Sequence, residues 1–304
     1  MDSPVADVDG AVADADGAVA DVDGAVAGAD GSVGAVDAGS GTDPSFEAEM
    51  TYTTANIGRT YDTRAQVAAV FDHIGDVMGG RSGPRFIGWQ EIGEGDPCGT
   101  CEIEELRARF KTESGWETLR PRGTRPNGGT EKIKVPVTSK GPDSASAAAV
   151  FASPGWAGVS PTRFVTVVDY PTHNLSMINT HFIAGAWSCK SEVAKRRDYW
   201  RQAWNTLKDQ VAKEHDRGRD VIVTGDLNRP RSANDCNPAW DPTSLHANAK
   251  VIGGAGIDYI FAVPAAGWKF VLAKRTDGTV ERGKISLAID GHKAHWVAGR
   301  FRPL

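Results

Sequence analysis

The first 58 residues of this 304-residue chain contain no lysine or arginine, and the first basic residue is Arg59. An acidic start without a basic segment argues against a secretory signal. No apolar run approaches the ~20 residues that a membrane helix needs. The sequence therefore excludes a membrane span and predicts a cytoplasmic protein.

Residues 1–49 form a low-complexity tail in which Asp-Gly recurs every seven residues, from Asp9-Gly10 to Asp30-Gly31. The tail holds 12 acidic residues and no leucine, so the seven-residue period does not indicate a coiled coil. Such a segment cannot bury enough apolar surface to offset its chain entropy, and we expect it to be disordered. The sequence leaves open whether Met50 is the true translation start.

The formal net charge of −5 conceals a basic remainder, because residues 50–304 hold 27 acidic and 34 basic residues, a net of +7. A basic domain suits a partner that carries phosphate. No Gly/Pro/Ser-rich linker divides this part, so we expect a single domain over residues 50–304.

Helix and strand patterns alternate along that domain. Apolar spacing predicts helices over 63–78, around Ile103 to Phe110, and over 193–211. Strands are predicted at 86–90, 163–170, 175–181 and 220–226, with further strands towards the carboxyl terminus. This order indicates an α/β domain with two packed sheets and outer helices.

Most of the predicted core strands end in a polar residue of a type that binds metal or phosphate. Carboxylates and imidazoles at strand ends do not build a core, so folding alone does not explain them. Carboxylate oxygens suit Mg²⁺, and phosphodiester hydrolysis needs an activated water, a charge clamp and an acid. These residues are Asn56, Glu91, His181, Asp226, Asn228, Asp258 and His292.

The ordered series of motifs resembles the endonuclease/exonuclease/phosphatase superfamily over roughly residues 50–304. The motifs are Asn56, Trp89-Gln90-Glu91, Asn179-Thr180-His181, Gly225-Asp226-Leu227-Asn228, Ile257-Asp258-Tyr259 and His292. The resemblance implies a four-layer α/β sandwich of two mixed β-sheets flanked by helices, and hydrolysis of phosphate esters with Mg²⁺, or Mn²⁺ in its place. His181 after the Asn-Thr strand is similar to the deoxyribonuclease I, sphingomyelinase and inositol-phosphatase branch.

The same resemblance implies roles for individual residues. Glu91 is expected to be the main metal ligand, with Asn56 supporting the metal or the phosphate. Asp226 is expected to orient and deprotonate the attacking water, and Asn228 to hold that water or the transition state.

The remaining roles concern the phosphate. Asp258 is expected to orient a histidine, while His181 and His292 contact the phosphate and one of them serves as general acid. The last motif departs from the family, because Asp290-Gly291-His292 stands where Ser-Asp-His is usual. The role of Asp290 is therefore open, and His295 competes with His292 for the assignment.

Several of these residues also have purely structural interpretations. Asp226 and Asn228 fit an Asx turn, Asn56 fits a turn residue, and Asp258 fits a loop cap. His181 fits a structural histidine with satisfied hydrogen bonds.

The four cysteines, Cys98, Cys101, Cys189 and Cys236, allow three states: reduced thiols, one zinc site or disulfides. The basic residues Arg196, Arg197 and Arg201 could contact substrate, or could be the solvated face of a helix.

We therefore expect a monomeric, metal-dependent phosphodiester hydrolase, a nuclease of low sequence specificity acting on nucleic acid. One alternative is a phosphatase or phospholipase C-like enzyme on inositol or sphingolipid head groups. Another is a non-catalytic binding module with the same fold, which the altered final motif would favour.

Overall fold

The structure is a computed structural model that describes residues 48–59, 61–94, 98–157, 160–187, 193–233, 238–287 and 292–304. The predicted disordered tail lies outside these residues except for its last two positions. The helices are α1 (Arg64–Gly79), α2 (Cys101–Arg109) and α3 (Val193–Asp216), with 3₁₀ turns at Thr112–Ser114, Pro171–His173 and Pro242–Leu245. None of the helices in the described ranges is long and apolar enough to cross a membrane.

Fifteen strands are seen in the described residues. The first eight are β1 (Met50–Asn56), β2 (Arg85–Gln90), β3 (Trp116–Leu119), β4 (Arg122–Thr124), β5 (Thr130–Lys132), β6 (Val137–Lys140), β7 (Ser146–Ser153) and β8 (Arg163–Tyr170). The others are β9 (Leu175–His181), β10 (Asp220–Asp226), β11 (Lys250–Ala255), β12 (Asp258–Val263), β13 (Trp268–Leu272), β14 (Arg282–Ser286) and β15 (Lys293–Pro303).

The strands form two mixed sheets and a small hairpin of β4 and β5. The first sheet has the order β13-β15-β1-β2-β6-β3, with β14 also paired to β15. The second sheet has the order β11-β12-β10-β9-β8-β7. Each sheet has a parallel pair at its centre, β1 with β2 and β9 with β10, and antiparallel neighbours on both sides.

The alternation of side chains in the central strands explains the layers. In β10, Val221 and Val223 pack with the apolar residues of α3, whereas Ile222 lies in the core between the sheets. In β2, Phe86 joins that same central core, whereas Trp89 faces the cluster that contains α1. The order is therefore helix, sheet, sheet, helix, which confirms the predicted four-layer sandwich.

Helix α1 begins where a capping box satisfies its first backbone amides. The Thr63 side chain accepts from the backbone N–H of Gln66, and the Gln66 side chain accepts from the N–H of Thr63 at 3.0 Å. The apolar face of the helix is fully buried, and Phe71 contacts Trp89 of β2 edge to face with ring centroids 5.3 Å apart. This packing fixes one helical layer over the first sheet.

The two sheets are in close contact at Gly88 of β2. A Cβ atom at this position would lie 2.0 Å from Oγ1 of Thr224 and 2.6 Å from Oδ1 of Asn179, both on the second sheet. Asn179 satisfies all its hydrogen-bonding capacity here: Oδ1 accepts from Gln90 and Thr224, and Nδ2 donates to the carbonyls of Trp89 and Pro136. A directional polar network thus joins the sheets within the core.

The structure describes two of the four cysteines. Cys98 and Cys101 form a disulfide at the start of α2, with Cα atoms 5.5 Å apart. This disulfide is incompatible with a zinc site that uses all four cysteines, and Cys189 and Cys236 lie outside the described residues.

Candidate active site

Three neighbouring strands of the second sheet each carry an ionisable side chain at the same edge. In the strand register, Asp226 of β10 is paired with His181 of β9 on one side and with Asp258 of β12 on the other. All three residues are buried. The strand-end pattern in the sequence therefore corresponds to a row of three polar groups across the sheet.

The first sheet contributes Asn56 and Glu91, because β1 and β2 are parallel and Asn56 is paired with Gln90. Glu91 follows the strand with a left-handed backbone, φ 68°, a conformation that is uncommon for a residue other than glycine. Backbone strain of this kind clusters at functional sites. With this backbone conformation, the Glu91 carboxylate faces the second sheet, where its Oε1 lies 3.6 Å from Nε2 of His181.

Asn56 connects the carboxylates of the two sheets. Its Nδ2 donates to Oδ2 of Asp226 at 2.9 Å and lies 3.4 Å from Oε1 of Glu91, while its Oδ1 accepts from the N–H of Gly58. The amide thus presents N–H groups to the carboxylates and uses its oxygen on the backbone. The role of Asn56 as a metal ligand stays a prediction.

Asp226 and Asn228 form the Asx turn that the sequence allowed. Oδ1 of Asp226 accepts from the N–H of Asn228 at 2.7 Å, and Asn228 has a left-handed φ of 49°. The turn aims the Asn228 side chain at His181, with Nδ2 3.1 Å from Nε2 of the ring, and Nδ2 also donates to the carbonyl of Phe182. The Asx-turn interpretation is therefore confirmed, and the functional roles of both residues stay predictions.

His181 lies at the centre of the group. Its Nε2 faces Glu91 and lies 3.8 Å from Oδ2 of Asp226, while its Nδ1 lies 3.1 Å from Nη1 of Arg163. Each ring nitrogen therefore faces one donor group, Nη1 of Arg163 or Nδ2 of Asn228, and one carboxylate, Glu94 or Glu91.

Two members of this group, Glu94 and Arg163, were not found from the sequence. Arg163 is almost fully buried and forms an ion pair with Oε1 of Glu94, which also lies 3.6 Å from Nδ1 of His181. Arg163, His181 and Arg59 together hold the pKa of the buried Glu94 carboxyl at about 2, against the opposing effect of desolvation by burial. The only sequence signal for Glu94 is its position, three residues beyond Glu91 in a loop that contains glycine.

The Asp258 carboxyl has a raised pKa. Burial is the largest cause, followed by the negative charges of Asp226 and Glu91, and together they raise the pKa of the Asp258 carboxyl to about 9. Within the described ranges, Oδ1 of Asp258 is buried without a hydrogen-bond partner. The expected contact between Asp258 and a histidine therefore stays a prediction.

His292 is placed by strand register. It directly precedes β15, whose antiparallel pairing with β1 brings His295 opposite Thr54, so His292 lies towards the end of β1 where Asn56 is found. His295 is three residues farther from that edge. Asp290 and Gly291 lie outside the described residues, and the departure at this motif is not resolved by the structure.

The donor set fits a divalent cation. Glu91, Glu94 and His181 each offer a ligand atom, and these atoms lie within 4.8 Å of one another. Arg59 counterbalances both carboxylates, with Nε 3.4 Å from Glu91 and 3.5 Å from Glu94. Oxygen-rich groups of this kind suit Mg²⁺ or Mn²⁺, and the role of Glu91 as the main metal ligand stays a prediction.

The predicted substrate-binding arginines lie on the first turns of α3, beside two aromatic rings. Arg196 stacks over Trp156 at 5.0 Å, Arg197 stacks over Trp187 at 5.3 Å, and Arg201 is exposed and pairs with Asp198. No described contact joins the three arginines to the catalytic cluster itself. Trp156, together with Arg59, Glu94 and Lys134, lines a cleft of about 400 Å³.

Comparison with known proteins gives no match to a protein-family model and none to a curated protein. Solved structures do match. An endonuclease/exonuclease/phosphatase protein from Beutenbergia cavernae is 14% identical, with a TM-score of 0.53 over 83% of this chain and 71% of that one. Sphingomyelinase C from Streptomyces griseocarneus is 12% identical, with a TM-score of 0.54 over 83% of this chain and 99% of that one.

A third structure, an endonuclease/exonuclease/phosphatase family protein from Bacteroides thetaiotaomicron, is 12% identical, with a TM-score of 0.51 over 84% of this chain and 96% of that one. At these identities the comparison concerns the arrangement of the backbone. The described chain has the fold of endonuclease/exonuclease/phosphatase proteins, the deoxyribonuclease I-like four-layer sandwich.

Proposed function

We propose that this protein is a metal-dependent phosphodiester hydrolase that cleaves nucleic acid with low sequence specificity. One observation carries the proposal: Asn56 and Glu91 of one sheet meet His181, Asp226 and Asn228 of the other within hydrogen-bonding or ion-pair distance. Such a group combines a base, a donor and a cation ligand around one point, which is what cleavage of a phosphate ester requires.

The base in this proposal is Asp226. Each of its oxygens already accepts one hydrogen bond, Oδ1 from Asn228 and Oδ2 from Asn56, which fixes the carboxylate in one orientation. A carboxylate oxygen has a second lone pair, so Asp226 can still accept the proton of an attacking water. Its side chain is 2% exposed, so that water is held among protein groups rather than in bulk solvent.

His181 and Asn228 provide hydrogen-bond donors. Nε2 of His181 and Nδ2 of Asn228 lie 3.1 Å apart and can reach one phosphate from the same side. Donors that are fixed before the reaction stabilise developing charge at little reorganisation cost. His292, near the end of β1, would be the candidate to protonate the leaving oxygen.

A divalent cation held by Glu91, with Asn56 alongside, would polarise the phosphate and neutralise its charge. Arg59 faces both Glu91 and Glu94 and already offsets part of the negative charge of these carboxylates. Nucleic acid as the substrate is supported by the net charge of +7 over residues 50–304 and by the arginines at the start of α3.

The test is an assay of the purified protein with Mg²⁺ or Mn²⁺ on plasmid DNA, single-stranded RNA, bis(4-nitrophenyl) phosphate, sphingomyelin and an inositol phosphate. Cleavage of nucleic acid and of the small diester, abolished by EDTA, is the expected result. Activity confined to sphingomyelin or inositol phosphate would replace the nuclease with the head-group enzyme. Binding of nucleic acid without any hydrolysis would indicate a non-catalytic module.

A further inference from the structure

Arg229 directly follows the turn formed by Asp226 and Asn228, and its side chain packs on tryptophan rings. Its guanidinium carbon lies 3.6 Å from the ring centroid of Trp187 and 5.0 Å from those of Trp200 and Trp240. The side chain is half-buried. A guanidinium at these distances from indole rings is held by cation–π attraction.

The backbone under Arg229 is fixed from two sides. The hydroxyl of Tyr259 donates to the carbonyl of Arg229 at 2.7 Å, and the indole N–H of Trp200 donates to the carbonyl of Leu227 at 2.7 Å. Trp200 itself is buried and stacks on Trp204. Hydrogen bonds therefore fix the backbone on both sides of Asn228, at Leu227 and at Arg229.

Among the residues that the structure describes, no carboxylate forms an ion pair with this arginine. Within the described residues its guanidinium has no hydrogen-bond or ion-pair partner, and the other nearby charges are those of Arg197 and Arg201. Burial, followed by these like charges and partly offset by Tyr259, lowers the pKa of Arg229 to about 10. A partly desolvated cation with unused donors, surrounded by further cations, is stabilised by the arrival of an anion.

We propose that Arg229 binds a phosphate adjacent to the one that is cleaved, and that the substrate is therefore a chain of phosphodiesters, a nucleic acid, rather than an isolated head group. Consecutive Cα atoms lie about 3.8 Å apart, so the backbone of Arg229 lies directly beside that of Asn228. The planar guanidinium can hold two phosphate oxygens at once, as a lysine cannot. This proposal rests on the proposed function.

The experiment compares Arg229→Met and Arg229→Lys with Arg107→Met, a matched loss of charge at an exposed position on α2. Each variant is assayed on a single-stranded oligonucleotide and on bis(4-nitrophenyl) phosphate, which has no flanking phosphate. For Arg229→Met we expect the ratio of kcat/KM for the oligonucleotide over the small diester to fall about tenfold. We expect an intermediate ratio for Arg229→Lys, because it keeps the charge but not the planar fork, and the wild-type ratio for Arg107→Met.

A second readout is oligonucleotide binding by fluorescence anisotropy in EDTA, at several salt concentrations. Loss of one phosphate contact should weaken binding and reduce the slope of log Kd against log salt by about one for Arg229→Met. This readout decides the inference even if wild-type protein cleaves neither substrate, an outcome that would refute the proposed function alone.

Three outcomes would overturn the inference. Arg229→Met could reduce the rates on both substrates equally, which would show a structural role at the turn. It could bind and cleave the oligonucleotide like wild type, which would show no contact. Finally, it could lose binding to phosphatidylglycerol vesicles while keeping oligonucleotide binding, which would assign the cation to a lipid surface.

Discussion

The side-chain amide of Asn56 donates a 2.9 Å hydrogen bond to Asp226, which is 170 residues away in the sequence and lies on the other sheet. Neither sheet alone contains a complete site, because Glu91 belongs to the first sheet and His181 to the second. The candidate active site therefore exists only when the two sheets pack face to face, and each half can be tested separately.

For the second sheet, we predict that Asp226→Asn lowers hydrolysis at least about 10²-fold, because the amide cannot accept the proton of the attacking water. The replacement keeps one oxygen that can accept from the N–H of Asn228, so the turn and the fold should be retained, while the lost acceptor for Nδ2 of Asn56 should lower the melting temperature. Asp209→Asn, at an exposed position of α3, is the matched control. A folded Asp226→Asn protein with near wild-type rate would remove Asp226 from the mechanism.

For the first sheet, we predict that Glu91→Gln removes metal-dependent activity and the tight Mn²⁺ site in titration calorimetry. We expect one tightly held ion in the wild type, and a much smaller effect for Asp290→Asn. Glu113→Gln, an exposed carboxylate beyond α2, controls for the loss of one charge. Two strong Mn²⁺ sites, one of them lost in Asp290→Asn, would contradict the expectation of a single ion.

At the contact between the sheets, we predict that Gly88→Ala destabilises the protein by about 1–3 kcal/mol, because the added methyl overlaps Thr224 and Asn179. Activity should fall as well, since the halves of the site are displaced. Gly79→Ala is the control, because a Cβ there has no atom within 4 Å and helix propensity favours alanine. Chemical denaturation of both variants measures the difference, and equal stability would show that the sheets accommodate the methyl.

At the opposite end of β10, Asp220 should make stability depend on pH. Burial raises the pKa of its carboxyl to about 7, although Asp220 accepts a hydrogen bond from the N–H of Ala265. A folded-state pKa raised from 3.8 means that stability is fully present below pH 3.8 and is lost as pH rises through 7. Asp220→Asn removes this loss while keeping an acceptor oxygen.

We therefore expect the stability of Asp220→Asn relative to wild type to grow by roughly 2–3 kcal/mol between pH 5 and pH 7 and then to level off. Urea denaturation at pH 5, 6, 7 and 8 measures the difference, in which the titration of all other groups cancels. A difference that is constant over this range would show that Asp220 titrates normally in the folded protein.

The sequence predicted best those elements whose periodicity is strong. Helix α1 and helix α3 were predicted from the spacing of apolar residues, and strand β10 from a run of apolar β-branched residues. The candidate site was predicted from polar residues at strand ends. Strand β7 was missed because Ser146–Ser153 is rich in alanine, a poor strand former, and it pairs with only one neighbour at the edge of the sheet.

Other features could not be found because they depend on contacts distant in the sequence. Arg163 is the first residue of an apolar strand, a position where a charged residue is common. Only the fold brings it against Glu94, 69 residues earlier. Arg229 follows the turn of Asp226 and Asn228, but the environment of its side chain is formed by tryptophans from three other segments of the chain.

The network around Asn179 has a consequence for motion within the core. Apolar contact between two sheets is non-directional and resists separation better than it resists sliding. The hydrogen bonds from Asn179 to Trp89 and Pro136, and from Gln90 to Asn179, are directional and oppose shear of one sheet over the other. Asn179→Leu would preserve much of the buried volume and yet permit such shear, so the lateral alignment of Glu91 with His181 depends on an amide that touches neither residue's reactive atoms.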